Sequence, residues 1–172
     1  VKINADDYIN ITSFTQAPFY KDFILNIPDN FSNGSFYNVP IDDLVAIIND
    51  ALANGYTAEI DCDVSEKTFS AKDGVAVIPA NKLNNLKALH SIYPEMDVTQ
   101  EYRQQEFENF KTTDDHLMHI TGSVKDQNGN NYYKVKNSWG TDEKRTNFDG
   151  YVYFSEAYVR LKTISITLHK DG

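Results

Sequence analysis

Two clusters of side chains in this sequence have the types and spacing to do chemistry. The densest polar run is Thr112-Thr113-Asp114-Asp115-His116-Leu117-Met118-His119, and the second is Lys136-Asn137-Ser138-Trp139-Gly140. His116 and His119 carry metal-ligand nitrogens, but residues three apart share a face on a helix and point oppositely on a strand. The stretch reads as the entry to a strand, so a two-His metal clip is not expected. Asp126, Asn128 and Asn130 open like a calcium loop, which needs Gly at its sixth position and Glu at its twelfth. Those positions hold Asn131 and Asn137, so the segment reads as a turn. The carboxylates of Asp114 and Asp115 beside His116 would favour a charged imidazole. Asp6-Asp7 and Asp42-Asp43 read as solvated faces and helix starts. The glycan-acceptor patterns at Asn10, Asn30 and Asn33 read as loop chemistry in an Asn-rich chain.

These groups need elements to hold them. Apolar runs on either side of Asp126-Gln127-Asn128-Gly129-Asn130 predict a hairpin, Leu117–Lys125 with Tyr132–Lys136, because Asn-Gly favours the tight turn. Tyr133, Val135 and Asn137 then share one face. With the turn centred on Asn128-Gly129, His116 falls opposite position 141, on the same face as Asn137. The two are still four residues, about 13 Å, apart along the strand. A longer loop, a bulge or strong twist has to close that gap. Upstream, Leu44, Ile48, Ala51 and Leu52 predict a helix that starts after Pro40 and stops at Gly55. Tyr56 to Val64 alternates as a half-buried strand, with Thr57, Glu59, Asp61 and Asp63 facing solvent. Short strands are expected at 8–14, 23–27 and 75–78. Residues 29–38 read as loop, and 81–90 as helix or irregular chain. A charged helix over 99–111 is anchored by Tyr102, Phe107 and Phe110. Strands at 151–154 and 164–168 complete an α+β fold, an antiparallel sheet with helices beside it.

Composition narrows the partners. The 172 residues hold 16 Lys and Arg against 25 Asp and Glu, a net charge of −9. That argues against nucleic acid and anionic membrane, which both need clustered cations. No apolar run approaches the ~18 residues of a membrane span. The length fits one domain, 1–172, with a real core. Cys62 is the single cysteine, so neither an intrachain disulfide nor a thiolate zinc site can form. It alternates with Tyr56, Ala58 and Ile60 and reads as a small buried hydrophobe.

Asn137-Ser138-Trp139-Gly140, preceded across a hairpin by His116, resembles the His/Asn half of the papain-like cysteine peptidases. Asp149-Gly150-Tyr151-Val152-Tyr153-Phe154 is similar to the strand that follows in that family. Ile60 to Lys67, Asp115 to Met118 and the stretch from Asp29 to Pro40 resemble the bleomycin hydrolase and aminopeptidase C branch. The resemblance implies a papain-like C-terminal domain, a half-barrel with flanking helices. It implies His116 as acid and base, Asn137 as its orienter and Trp139 as a shield over their bond. It implies a peptide substrate, no metal and no cofactor. The family's nucleophile lies in a Cys-Trp motif after a Gln; this sequence has neither, and Cys62 falls at a non-catalytic position. A chain opening at Val1 is thus expected to be the His/Asn half, inactive without its partner, an N-terminal Cys-bearing half. The alternative is a stand-alone, non-catalytic domain that binds protein or peptide. Exo- versus endopeptidase action, homo-oligomerisation of the parent and compartment (cytoplasmic or exported bacterial) stay open.

Overall fold

The computed structural model describes residues 3–142 and 144–172. Ten strands form one sheet: β1 (Tyr8–Thr12), β2 (Lys21–Ile24), β3 (Ser35–Asn38), β4 (Ala58–Cys62), β5 (Phe69–Ser70), β6 (Val75–Ala76), β7 (His116–Lys125), β8 (Asn131–Lys136), β9 (Tyr151–Ser155) and β10 (Thr163–His169). Their order is β2-β3-β1-β10-β4-β7-β8-β9-β6-β5. Pairing is antiparallel except at β1–β3 and β6–β9. Four helices accompany it: α1 (Ile41–Ala53), the single turn α2 (Asn85–Ala88), α3 (Gln100–Glu108) and α4 (Glu156–Lys162). The α+β reading holds.

Local chemistry explains the helix bounds. Asp42 and Asp43 sit in the first turn of α1, where carboxylates suit the helix dipole. Its face of Ile41, Leu44, Val45, Ile48 and Ala51 is buried. Gly55, at φ +84°, turns the chain out after Asn54. Thr99 caps α3 by accepting from Tyr102 N, and Ser155 caps α4 by accepting from Tyr158 N. The core lies between α1, α4 and the inner face of the central strands, with Ile60, Cys62, Ile120, Tyr133, Val135 and Phe154 all buried. A smaller cluster of Phe14, Leu25, Ile27, Phe36 and Ile164 fills the space by β2 and β3.

Four expectations need correction. The presumed loop 29–38 ends in β3, where Phe36 and Asn38 point inward and are buried. The strand expected at 23–27 is β2, which starts two residues earlier and ends three residues earlier. Phe110 is 84% exposed; its φ of +56° ends α3, whose buried residues are Arg103, Gln104 and Glu106. The supposedly solvated face of β4 is covered: Asp61 and Asp63 are both buried. The first lies under the 25–36 segment, and the second is enclosed by α4 and the chain before β7.

Candidate active site

β7 and β8 are neighbours in the middle of the sheet, and they bring together the two residues singled out by type. The Asp126 carboxylate accepts from Asn128 N and Asn130 N, which closes the turn. From this turn the paired residue numbers add to 256, as in Lys125↔Asn131 and Gly122↔Lys134. Continued unbroken, that register would leave His116 and Asn137 on opposite faces. Thr121 is the extra residue of a bulge, its hydroxyl donating to Lys134 O. Beyond it the numbers add to 255, as in Ile120↔Val135 and His119↔Lys136. His116 now lies diagonal to Asn137 across the strands, two residues off the direct pairing and on its face. Diagonal neighbours are within reach of long side chains. The expected gap of four residues is thus halved: a turn centred on Asn128 alone removes one, and the bulge at Thr121 removes the other.

His116 Nε2 lies 2.8 Å from Asn137 Oδ1. Ser138 N donates to the same oxygen at 2.7 Å. A backbone N–H can only donate, so that atom is the amide oxygen whatever the imidazole does. His116 Nε2 must therefore carry hydrogen, and Nδ1 is left as the nitrogen that exchanges a proton. Asn137 is 3% exposed, while His116 is half-buried. His119, on the opposite face, bonds Thr57 Oγ1 instead, so the two histidines do not converge.

Trp139 leans over this couple. Its ring centroid is 5.1 Å from that of His116, tilted by 33°, and Phe69 meets its edge at 5.9 Å. Trp139 stacks on the imidazole while itself remaining 46% exposed. Trp139 is the only tryptophan in the chain, so its emission reports on His116. Removing the stacked ring in His116→Gln is expected to change the intensity of that emission. An emission spectrum that is the same in the wild type and in His116→Gln would mean that the stacking is not made in solution.

The loop after β8 is folded back on the sheet. Asn137 N donates to Gly150 O, and Lys136 Nζ donates to Asp149 O. Gly150, at φ +76°, has no room for a side chain: a Cβ there would lie 2.4 Å from Gly140 O.

The segment before His116 is also tied. Asp63 accepts from Ser65 N, Thr113 N and the Lys162 ammonium. Lys162 Nζ also reaches Glu66 Oε1 at 2.6 Å and donates to Lys111 O at 2.6 Å. Asp115 accepts from the Thr113 hydroxyl and from Val64 N, and Asp114 accepts from Asp29 N. These two carboxylates were expected to act on the imidazole; the bonds they make are instead to the N–H groups of Asp29 and Val64 and to the Thr113 hydroxyl. Sequence reasoning missed Asp63 and Lys162. Asp63 looks like any outward carboxylate of an alternating strand, and no spacing signal marks Lys162.

Cys62 pairs directly with His116 across β4 and β7, so their side chains share a face. Yet the thiol is fully buried in the core and has no hydrogen bond to the imidazole among the described residues. Burial, and then the charges of Asp61 and Asp63, push it well above the ordinary thiol range. Such a thiol is protonated at neutral pH and inert. No group of three or more His, Cys, Asp or Glu among the described residues is arranged to hold a metal.

The chain resembles known folds. Its structure superposes on PepW of Lactobacillus rhamnosis with a TM-score of 0.72 at 19% identity, over 98% of this chain and 36% of PepW. The chain therefore spans about a third of that protein. Weaker likenesses are to SERA5E of Plasmodium falciparum, with a TM-score of 0.41 at 13% identity over 98% of this chain and 47% of that one. The proform of the ragweed cysteine protease Amb a 11 gives 0.34 at 17% identity, over 64% and 23%. No curated protein sequence matches. The family model described as "Peptidase C1-like family" matches residues 1–172. The chain belongs to the Peptidase C1-like family, as a cysteine-peptidase-like domain of papain-like fold.

Proposed function

We propose that this chain is the His/Asn-bearing half of a cysteine peptidase of the bleomycin hydrolase or aminopeptidase C type, with the nucleophilic thiol on a segment outside this sequence. The observation that supports this best is the His116 Nε2–Asn137 Oδ1 bond, which presents Nδ1 to an incoming group. In this reading a thiolate, paired with the His116 imidazolium, attacks the scissile carbonyl of a peptide. His116 then passes its Nδ1 proton to the leaving amine, and a thioester remains. Next His116 takes a proton from water, whose oxygen attacks the thioester, and the carboxylic product leaves as the thiolate returns. Asn137 fixes the imidazole's rotation through both steps, as the carboxylate does in serine triads. Trp139 keeps water from that bond.

Burial of Cys62 favours a nucleophile supplied from elsewhere, and it equally fits a non-catalytic domain that binds peptide. One experiment separates these readings. The chain alone should not hydrolyse fluorogenic aminoacyl or peptidyl amides, and an epoxide thiol reagent should leave Cys62 unmodified. Adding or fusing a polypeptide that carries a Cys-Trp helix start should give turnover that depends on His116. Turnover by the chain alone, lost in Cys62→Ser, would overturn the proposal. Failure of every Cys-bearing partner to confer activity, with peptide binding retained, would favour the binding domain.

A further inference from the structure

The outer face of β4 holds a second set of titratable groups that the proposed reaction does not use. A cavity of about 180 Å³ lies there between the sheet and the 25–36 segment. Glu59, Asp61, Asp29 and Asn30 line it, with Ser165 and Thr167 from β10, and no Lys or Arg does so among the described residues. On β7, Leu117 and His119 share this face, and His119 is engaged by Thr57. Asp61 is 3% exposed. Its Oδ1 and the Oδ1 of Asp114 are both buried without a partner when both groups are written as carboxylates. Both groups adjoin Asp29, which lines the cavity beside Asp61 and donates its N–H to Asp114, and Asp114 is near enough to raise the Asp61 carboxyl. Two carboxylate oxygens buried beside one another find a partner in each other only with a proton between them. A single proton satisfies both orphaned oxygens at once, and a buried pair of like charges would otherwise be costly.

We propose that Asp61 and Asp114 share one proton, and that this acid–carboxylate pair positions His116 by bridging β4 to the residue two before it. Asp114 is suited to that role because its other oxygen accepts from Asp29 N at 2.8 Å. One side chain thus fastens three segments: β4, the loop after β2, and the entry to β7. Asp61 and Asp114 are positioning residues, and they touch no reacting atom. Burial, then the hydrogen bond and charge of Asp114, with smaller contributions from Glu59 and Asp29, push the Asp61 carboxyl up to about 9. The shared proton is therefore held at neutral pH and released to solvent under alkaline conditions. Two adjacent carboxylates then repel, and the entry to β7 loosens.

The significance for His116 rests on the peptidase reading, but the pair itself is testable without activity. In the chain labelled with ¹³C at aspartate, the Asp61 carboxyl carbon, assigned by its loss in Asp61→Asn, is expected to stay in its protonated position at pH 7. It should titrate only in the alkaline range. The His116 ring N–H signal should weaken over the same range in the wild type. It should persist in Asp61→Asn, whose amide donates to Asp114 and cannot lose its proton. Stability gives the third readout. A carboxyl raised from 3.8 to about 9 on folding makes stability fall as pH rises between those values and level off above. Asp61→Asn should remove that slope. Titration of Asp61 with ordinary carboxylates below roughly pH 5 would overturn the proposal, and needs no variant to fold. A His116 signal that weakens equally in Asp61→Asn would overturn the positioning role. Neither result would bear on whether a joined thiol confers turnover.

Discussion

Replacing His116 by alanine, in a protein that joins this chain to its nucleophile, is expected to lower kcat/KM by about 10⁴-fold. The magnitude follows from the roles it combines. Without the imidazolium the thiol keeps an ordinary pKa and the leaving amine has no proton donor. The fold should survive, because His116 is half-buried at the end of a strand and, among the described residues, its one side-chain hydrogen bond is to Asn137. Asn137→Ala should cost less, since it frees the imidazole to rotate without removing it. The double variant should be no worse than His116→Ala alone, because residues that act as a unit are not additive. Steady-state kinetics beside thermal melts check this. Equal losses in activity and melting temperature would show a structural role, and a fully additive double variant would show that the pair is not a unit.

The largest expected stability effect belongs to Lys162. Its ammonium and the Asp63 carboxylate are both fully buried, 3.1 Å apart. Removing one partner of such a pair leaves the other charged and unsolvated, at a cost of about 3–5 kcal/mol. Lys162→Met should thus lower the melting temperature by about 10 °C, since about 1 kcal/mol moves a domain of this size by roughly 2–4 °C. Asp63→Asn added to Lys162→Met should recover part of the loss. The pH dependence has a definite sign. Burial alone would raise the Asp63 carboxyl, but hydrogen bonds from Ser65 and the Lys162 charge outweigh it and hold the group below 3.8. Its stabilisation is therefore present above that value and lost as pH falls through the lower, folded one. Lys162→Met should move acid unfolding to higher pH. Calorimetry over pH 2–7 (roughly the carboxylate range) checks this, and an unchanged acid limb would mean the charge of Lys162 does not matter.

Much of this was legible because period and turn chemistry are local. The spacing of Leu44, Ile48 and Ala51 marked α1, and Asn128-Gly129 marked the hairpin. The alternation of Tyr133, Val135 and Asn137 gave the right inward face. The failures were tertiary. β3 is four residues long, follows an Asn-, Ser- and Gly-rich segment, and is a strand because β1 and β2 lie beside it. Asp61 and Asp63 alternate like solvated residues and are covered by segments far away in sequence. Even the His–Asn couple was visible only by residue type: turn chemistry alone misjudged the distance, and the bulge is marked locally by no more than Gly122, an isolated glycine within the strand.

That bulge has an evolutionary consequence. It separates the hairpin into two registers, one fixed at the tip by Asp126 and the other fixed near the site by Ile120 and Val135 in the core. Changes at the tip are absorbed before they reach His116. The Asp126–Asn130 turn is thus where the lineage can drift in length, and where a tag or a displayed peptide can be spliced in, while the couple at the other end of the same two strands stays as it is.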